Sequence, residues 1–192
     1  VFQSNPFDIV TSPGVFVFEE ATIIGQSGWN SAWIRDCFGS RQLAKLFDRH
    51  AVSSGVSIGT YDEMMDYLRQ MSETILDTPG ALRGRFPLCE RNGIDQGLHN
   101  VLIYTDKVKK LRQFAYTESP VMNYQAGQPV VRNGTVYNQN GHKVVIVHEY
   151  DRNPTLTRQY LTKFKHWDDS VERAKACEKY TVQQNADGFF RK

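Results

Sequence analysis

The sequence predicts a mixed α/β domain, and three observations carry that reading. Short apolar runs alternate with segments whose apolar residues recur every three or four positions. Glycine, proline and asparagine punctuate the joints between them. The composition, 192 residues with 40% hydrophobic and 23% charged, supplies a core for one domain and excludes a disordered chain.

"SPGVFVFEE" sets the turn Ser12–Gly14 before the apolar run Val15–Phe18, a short buried strand ending in Glu19 and Glu20. "WNSAWIRDCFG" spaces Trp33, Ile34, Cys37 and Phe38 as a helix closed by Gly39, and Ser40 is a good N-cap for a second helix. Residues 51–60, "AVSSGVSIGT", read as a strand in which Gly55 and Gly59 permit close backbone approach. Thr60 and Glu63 form a capping box for a helix whose apolar face is Met64, Leu68, Met71 and Ile75. A basic loop, "LRGRFPLCERNG", leads into the helix "GIDQGLHNVLIY". "LRQFAYT" is a candidate strand, and residues 123–154 read as a β-hairpin region with turns at "RNG" and "QNG" and a strand "KVVIVHEY". Asn153 as N-cap and Pro154 at the first helical position start a last helix, with Leu156, Tyr160, Leu161 and Phe164 on its apolar face. The tail from His166 is charged and aperiodic. The expected division is therefore a domain over 1–165 and a tail or linker over 166–192.

A net charge of +2 gives no footprint for nucleic acid. No apolar run approaches the roughly 20 residues of a membrane span. Cys37, Cys89 and Cys177 allow one disulfide with a free thiol, or three thiols. There is one glycosylation sequon, Asn133-Gly134-Thr135, which matters if the protein passes through a secretory lumen.

Two segments concentrate chemistry. In "IDQGLHN", Asp95 and His99 are four apart and share a helix face; Gln96 and Asn100 repeat the spacing on the adjacent face. Asp95 at the helix start suits the helix dipole. Two roles fit these residues: a cap and a core histidine, or a carboxylate and amide that read a polar ligand. In "VVIVHEYDR", four apolar residues deliver His148 at a strand end, where it is either a metal ligand or a surface histidine.

Taken in order, "VFQSNPFD", "GVFVFEE", "SSGVSIGT", "GIDQGLHN" and "VIVHEYDRNP" resemble the second half of a GT-A-type glycosyltransferase of the nucleotide-diphospho-sugar transferase-like family. The resemblance covers residues 1–165. It implies a mixed sheet flanked by helices, present here as an incomplete fold, and transfer of a sugar from a nucleotide-diphosphate sugar to a glycan or other hydroxyl acceptor. It implies Mn²⁺ or Mg²⁺, with His148 completing the coordination. The family's D-x-D motif does not occur in this chain, so the main carboxylate ligands are expected upstream of Val1. Asp95 is the expected catalytic base or acceptor-orienting acid, with Glu20 second. Gln96, Ser54, Gly55, Asn100 and His99 are expected on the substrate side. Retention or inversion of the anomeric centre is left open. A Golgi lumen is expected if an anchor precedes this chain, the cytoplasm otherwise. Two other functions fit the same residues: a non-catalytic carbohydrate-binding or scaffold domain that keeps the fold, and a metal-dependent hydrolase using Asp95, His99 and His148.

Overall fold

Strand β1 (Val15–Ile23) begins where the proline-glycine turn ends, and its first four residues are buried. Val15 and Val17 point into one apolar cluster with Val52, Leu102 and Ile103. Phe16 and Phe18 point the other way, into a cluster with Ile9, Val121 and Ile146. An unbroken apolar run is what a strand covered on both faces requires, since successive side chains alternate between them. The computed structural model describes residues 1–82, 89, 93–123 and 130–163, with 77–82 and 163 as backbone only. Most of the basic loop, residues 124–129 of the hairpin region, Phe164, Cys177 and the charged tail lie outside the described residues.

The chain divides into two units, Val1–Tyr150 and Asp151–Lys192. In the first, β1 is followed by α1 (Gly28–Phe38), α2 (Ser40–Leu46), β2 (His50–Gly59), α3 (Tyr61–Leu82), α4 (Ile94–Tyr104), β3 (Leu111–Phe114), β4 (Val121–Asn123), β5 (Val130–Arg132), β6 (Thr135–Tyr137) and β7 (Ile146–His148). β1 lies between β2, antiparallel, and β3, parallel. β4 and β7 form a parallel pair, and β5 and β6 an antiparallel hairpin. The architecture is mixed α/β built from small sheets and helices. The described part of the second unit is α5 (Pro154–Lys163), where Asn153 Oδ1 accepts from the Thr155 and Leu156 amides at 2.9 and 3.0 Å, the N-cap its sequence implies.

Local chemistry sets several boundaries. Ser27 Oγ accepts from Asn30 N at the start of α1, and Gly39, at φ 82°, ends it. Gly39 also leads into α2, whose first helical residue is Ser40, so Ser40 does not act as the cap. At α3, Thr60 Oγ1 accepts from Gly14 N and contacts the Glu63 carboxylate, so this pair ties the helix start to the turn before β1 rather than closing a capping box on itself. Lys110 Nζ donates to Glu63 at 2.6 Å, and these two partners, lysine first, hold the Glu63 carboxyl down at about 2. The inner seam of α3 is Met64, Tyr67 and Met71; Leu68 and Ile75, expected on that seam, are about half exposed.

The amino-terminal residues run antiparallel beside β7 through an isolated bridge. Val1 and Val147 exchange backbone bonds of 2.7 and 2.8 Å, Phe2 bridges Ile146, and Gln3 N donates to Val145 O. The Gln3 side chain donates to Val136 O and Val144 O and accepts from Val136 N. "FQS" therefore works as β structure beside β7.

Candidate functional site

The pairing of β2 with β1 is broken where the sequence is richest in small residues. Val17 pairs with Ser57 and Glu19 with Val52, so Ser53, Ser54, Gly55 and Val56 stand opposite Phe18 alone. A second irregularity leaves Glu20, Ala21 and Thr22 opposite Ala51 alone. Bulges of this kind re-aim side chains and often border functional sites. They bring Ser54, Gly55 and Glu20 toward α4 on one side and β7 on the other.

On the α4 side, Ser54 Oγ donates to Asp95 Oδ2 at 2.8 Å. Gln96 Oε1 accepts from Ser54 N at 2.7 Å, and Gln96 Nε2 donates to Glu20 Oε1 at 3.1 Å. Four of the expected site residues thus form one chain, Asp95–Ser54–Gln96–Glu20. α4 has Gly93 as its N-cap and no side-chain cap bond, so Asp95 is not a cap; its carboxylate is exposed.

Asn100 and His99 lie deeper, and both are fully buried. Asn100 Oδ1 accepts from Val52 N at 2.8 Å, and its Nδ2 donates to Val52 O at 2.9 Å and Gln96 O at 2.7 Å. β2 is an edge strand of its sheet, and Val52 and Ser54 turn backbone groups outward there. Two strand residues span about 6.6 Å and four helical residues about 6 Å. Amides at 96 and 100 therefore meet the strand at 54 and 52, and α4 pairs the edge much as a neighbouring strand would. Gly97 permits this seating: a Cβ there would lie 2.7 Å from Trp33 Cβ of α1. Asn100 thereby supports the site from behind.

His99 Nδ1 lies 2.7 Å from the Tyr67 hydroxyl. Burial, only partly offset by Asp95, pushes the imidazole down to about 4. The folded protein thus declines a proton that the unfolded chain, at the ordinary 6.5, accepts. The stabilisation is complete above pH 6.5 and is lost as the pH falls toward 4, on the order of 3 kcal/mol in all. Urea denaturation between pH 7 and pH 5 should show this slope, and His99→Gln should flatten it. An identical slope in the variant would assign it to other groups.

On the other side of the bulge, the His148 ring covers Gly55. A Cβ on Gly55 would lie 2.4 Å from His148 Cε1 and 2.7 Å from Nε2. The close approach foreseen at Gly55 is thus made by the histidine. Asn123, at the end of β4 and in register with His148, presents Oδ1 at 3.1 Å from His148 Nδ1. An amide oxygen only accepts, so His148 Nδ1–H donates in this contact and Nε2 points away from Asn123. Asn123 is itself buried, and its Nδ2 has no partner among the described residues. His148 also lines a cleft of about 540 Å³ with Gly55, Ser57, Phe2, Phe7 and Met64. Phe2 and Phe7 are 65% and 71% exposed.

The bulge therefore groups Asp95, Ser54, Gln96 and Glu20 on its α4 flank and Gly55 with His148 on its β7 flank, while His99 and Asn100 stay inside. Asn123, Phe2 and Phe7 are additions. Asn123 closes β4 in a stretch without periodicity, and the only sequence signal for the two phenylalanines is the aromatic-amide-turn pattern of "FQSNPF". Among the described residues there is no cluster of three or more histidine, cysteine or acidic side chains able to hold a metal. No helix among them is long and apolar enough to cross a membrane. Comparison of the chain with protein-family models, curated proteins and solved structures finds no match.

Proposed function

We propose that this chain carries the acceptor side of a divalent-metal-dependent glycosyltransferase that uses a nucleotide-diphosphate sugar. The observation that carries the reading is the Ser54–Gly55 bulge, with an exposed carboxylate, Asp95, on one flank and a histidine, His148, on the other. The donor set fits a cation in part: one imidazole, His148, whose ring is oriented by the Asn123 amide oxygen through Nδ1. A divalent cation, when bound, neutralises the charge that builds on the departing diphosphate.

The chain's own residues supply the rest. Asp95 is held by the Ser54 hydroxyl yet open to solvent, so it can accept a hydrogen bond from an acceptor hydroxyl and draw off its proton. Gln96 fixes Glu20 nearby and locks Ser54 by its backbone. His148 and Gly55 lie on the other flank of the bulge.

Transfer or hydrolysis assays of the full-length protein with a panel of nucleotide sugars and Mn²⁺ test this. Asp95→Asn should lower turnover by roughly 100-fold without a change in melting temperature. Gly55→Ala should act like His148→Ala, because the added methyl displaces the ring, and both should raise the Mn²⁺ concentration needed for half-maximal rate. Full activity in Asp95→Asn and His148→Ala together would end the proposal.

A non-catalytic carbohydrate-binding domain is the second reading. It is favoured by the exposed Phe2 and Phe7 beside the cleft, because flat aromatic faces pack well against the C–H faces of sugar rings. Calorimetry separates the two: glycan binding indifferent to Mn²⁺, with no turnover of nucleotide sugar, supports the second.

A further inference from the structure

We infer that Asn133 is an N-glycosylated residue and that the protein matures in an oxidising secretory lumen. Asn133 and Gly134 of the sequon Asn133-Gly134-Thr135 form the two-residue turn between β5 and β6, and Thr135 opens β6 opposite Arg132. Asn133 has φ 49° and Gly134 φ 72°, the double positive φ of a type I′ hairpin, and Asn-Gly is the residue pair that such a turn prefers. The turn alone therefore accounts for Asn133 and Gly134, but it makes no demand for a hydroxyl at 135. Thr135 completes the acceptor motif, and Asn133 is exposed at the tip, where a bulky glycan meets no packed neighbour.

A second observation comes from a different part of the molecule. Cys37 of α1 and Cys89 are joined in a disulfide, 52 residues apart, and both cysteines are buried among Leu98, Phe38 and Ile94. Disulfides with this structural role form in compartments that also carry out asparagine glycosylation, and are rare where thiols are kept reduced. The bridge and the sequon thus point to one environment.

The co-reactant is an oligosaccharide carried on a lipid diphosphate. A bond forms between Nδ2 of Asn133 and the anomeric carbon of that sugar. The bond from this carbon to the diphosphate oxygen breaks, the lipid diphosphate leaves with the electron pair, and the amide gives up one proton to solvent. The inference does not depend on the proposed transferase activity, because occupancy of Asn133 is read chemically.

Peptide mass mapping of the protein purified from the cells that make it is the test. The expected result is a glycan on the peptide carrying Asn133, released by a peptide-N-glycosidase to leave aspartate at that position. Routed through the secretory pathway of a eukaryotic host, the protein should lose its glycosidase-sensitive mobility shift on Asn133→Gln or Thr135→Ala, and keep it on Thr135→Ser. Titration of free thiols shows whether each variant has formed the Cys37–Cys89 bridge and so has folded. Unmodified Asn133 in the native protein, or a shift that survives both Asn133→Gln and Thr135→Ala, overturns the inference.

Discussion

Replacing Asn100 by leucine should destabilise the protein by about 3–5 kcal/mol, although the two side chains are close in volume. The change removes three hydrogen bonds, and two of them serve the same buried residue. Val52 N–H loses the Asn100 oxygen, and Val52 C=O loses the Asn100 amide. Each buried backbone group left unpaired costs about 1–3 kcal/mol, more than the net value of a hydrogen bond that water can replace. Asn100→Asp should be no better, since a carboxylate would face the Val52 carbonyl without a proton to give. Native-state hydrogen exchange should locate the damage: the Val52 and Ser54 amides should lose protection first. A loss of less than about 1 kcal/mol, with protection at Val52 intact, would mean that α4 does not secure this edge.

Opening the Cys37–Cys89 bridge should have an effect of similar size. Closing a loop of 52 residues restricts the unfolded chain, and the chain-entropy relation values that at about 4 kcal/mol. For a protein of this length that is on the order of 10 °C in melting temperature. Dithiothreitol should produce the drop, and the double variant Cys37→Ala/Cys89→Ala should melt near the reduced protein while no longer responding to the reagent. The bridge ties α1 to the approach of α4, so reduction should also loosen the helix that carries Asp95. Equal melting temperatures with and without reductant would show that packing among Cys37, Cys89, Leu98 and Ile94 suffices.

Much of the frame was legible because it rests on local physics. The run Val15–Phe18, the glycine that stops α1, the strand over 51–60, the helix from Gly93 and the Asn153-Pro154 start each need only neighbouring residues to be read. His148 at the end of a buried strand was legible for the same reason. The rest depended on residues far apart. Nothing in "SSGVS" reveals that four residues will oppose one, because a bulge is a property of two strands. Gly55 announced a close approach but not that the approaching group would be a histidine 93 positions on. Asn123 carries no signal until β4 and β7 are aligned. Three cysteines allow three pairings, and the choice of Cys37 with Cys89 follows only from the packing of α1 beside α4. The polar start of α4 fits two readings in the sequence, a ligand-facing wall or a cap with a core histidine, and His99 is indeed buried in the core. Half of it, Asp95 and Gln96, does border the bulge, while Asn100 serves the strand beneath.

That amide pairing has a consequence for how the molecule fails. β2 ends its sheet with outward N–H and C=O groups that a second chain could also pair, and the helix amides occupy them first. When α4 swings away, a strand rich in small and β-branched residues is bared with its bonding groups unspent. Val52 and Ser54 then carry the backbone groups that a second strand could pair.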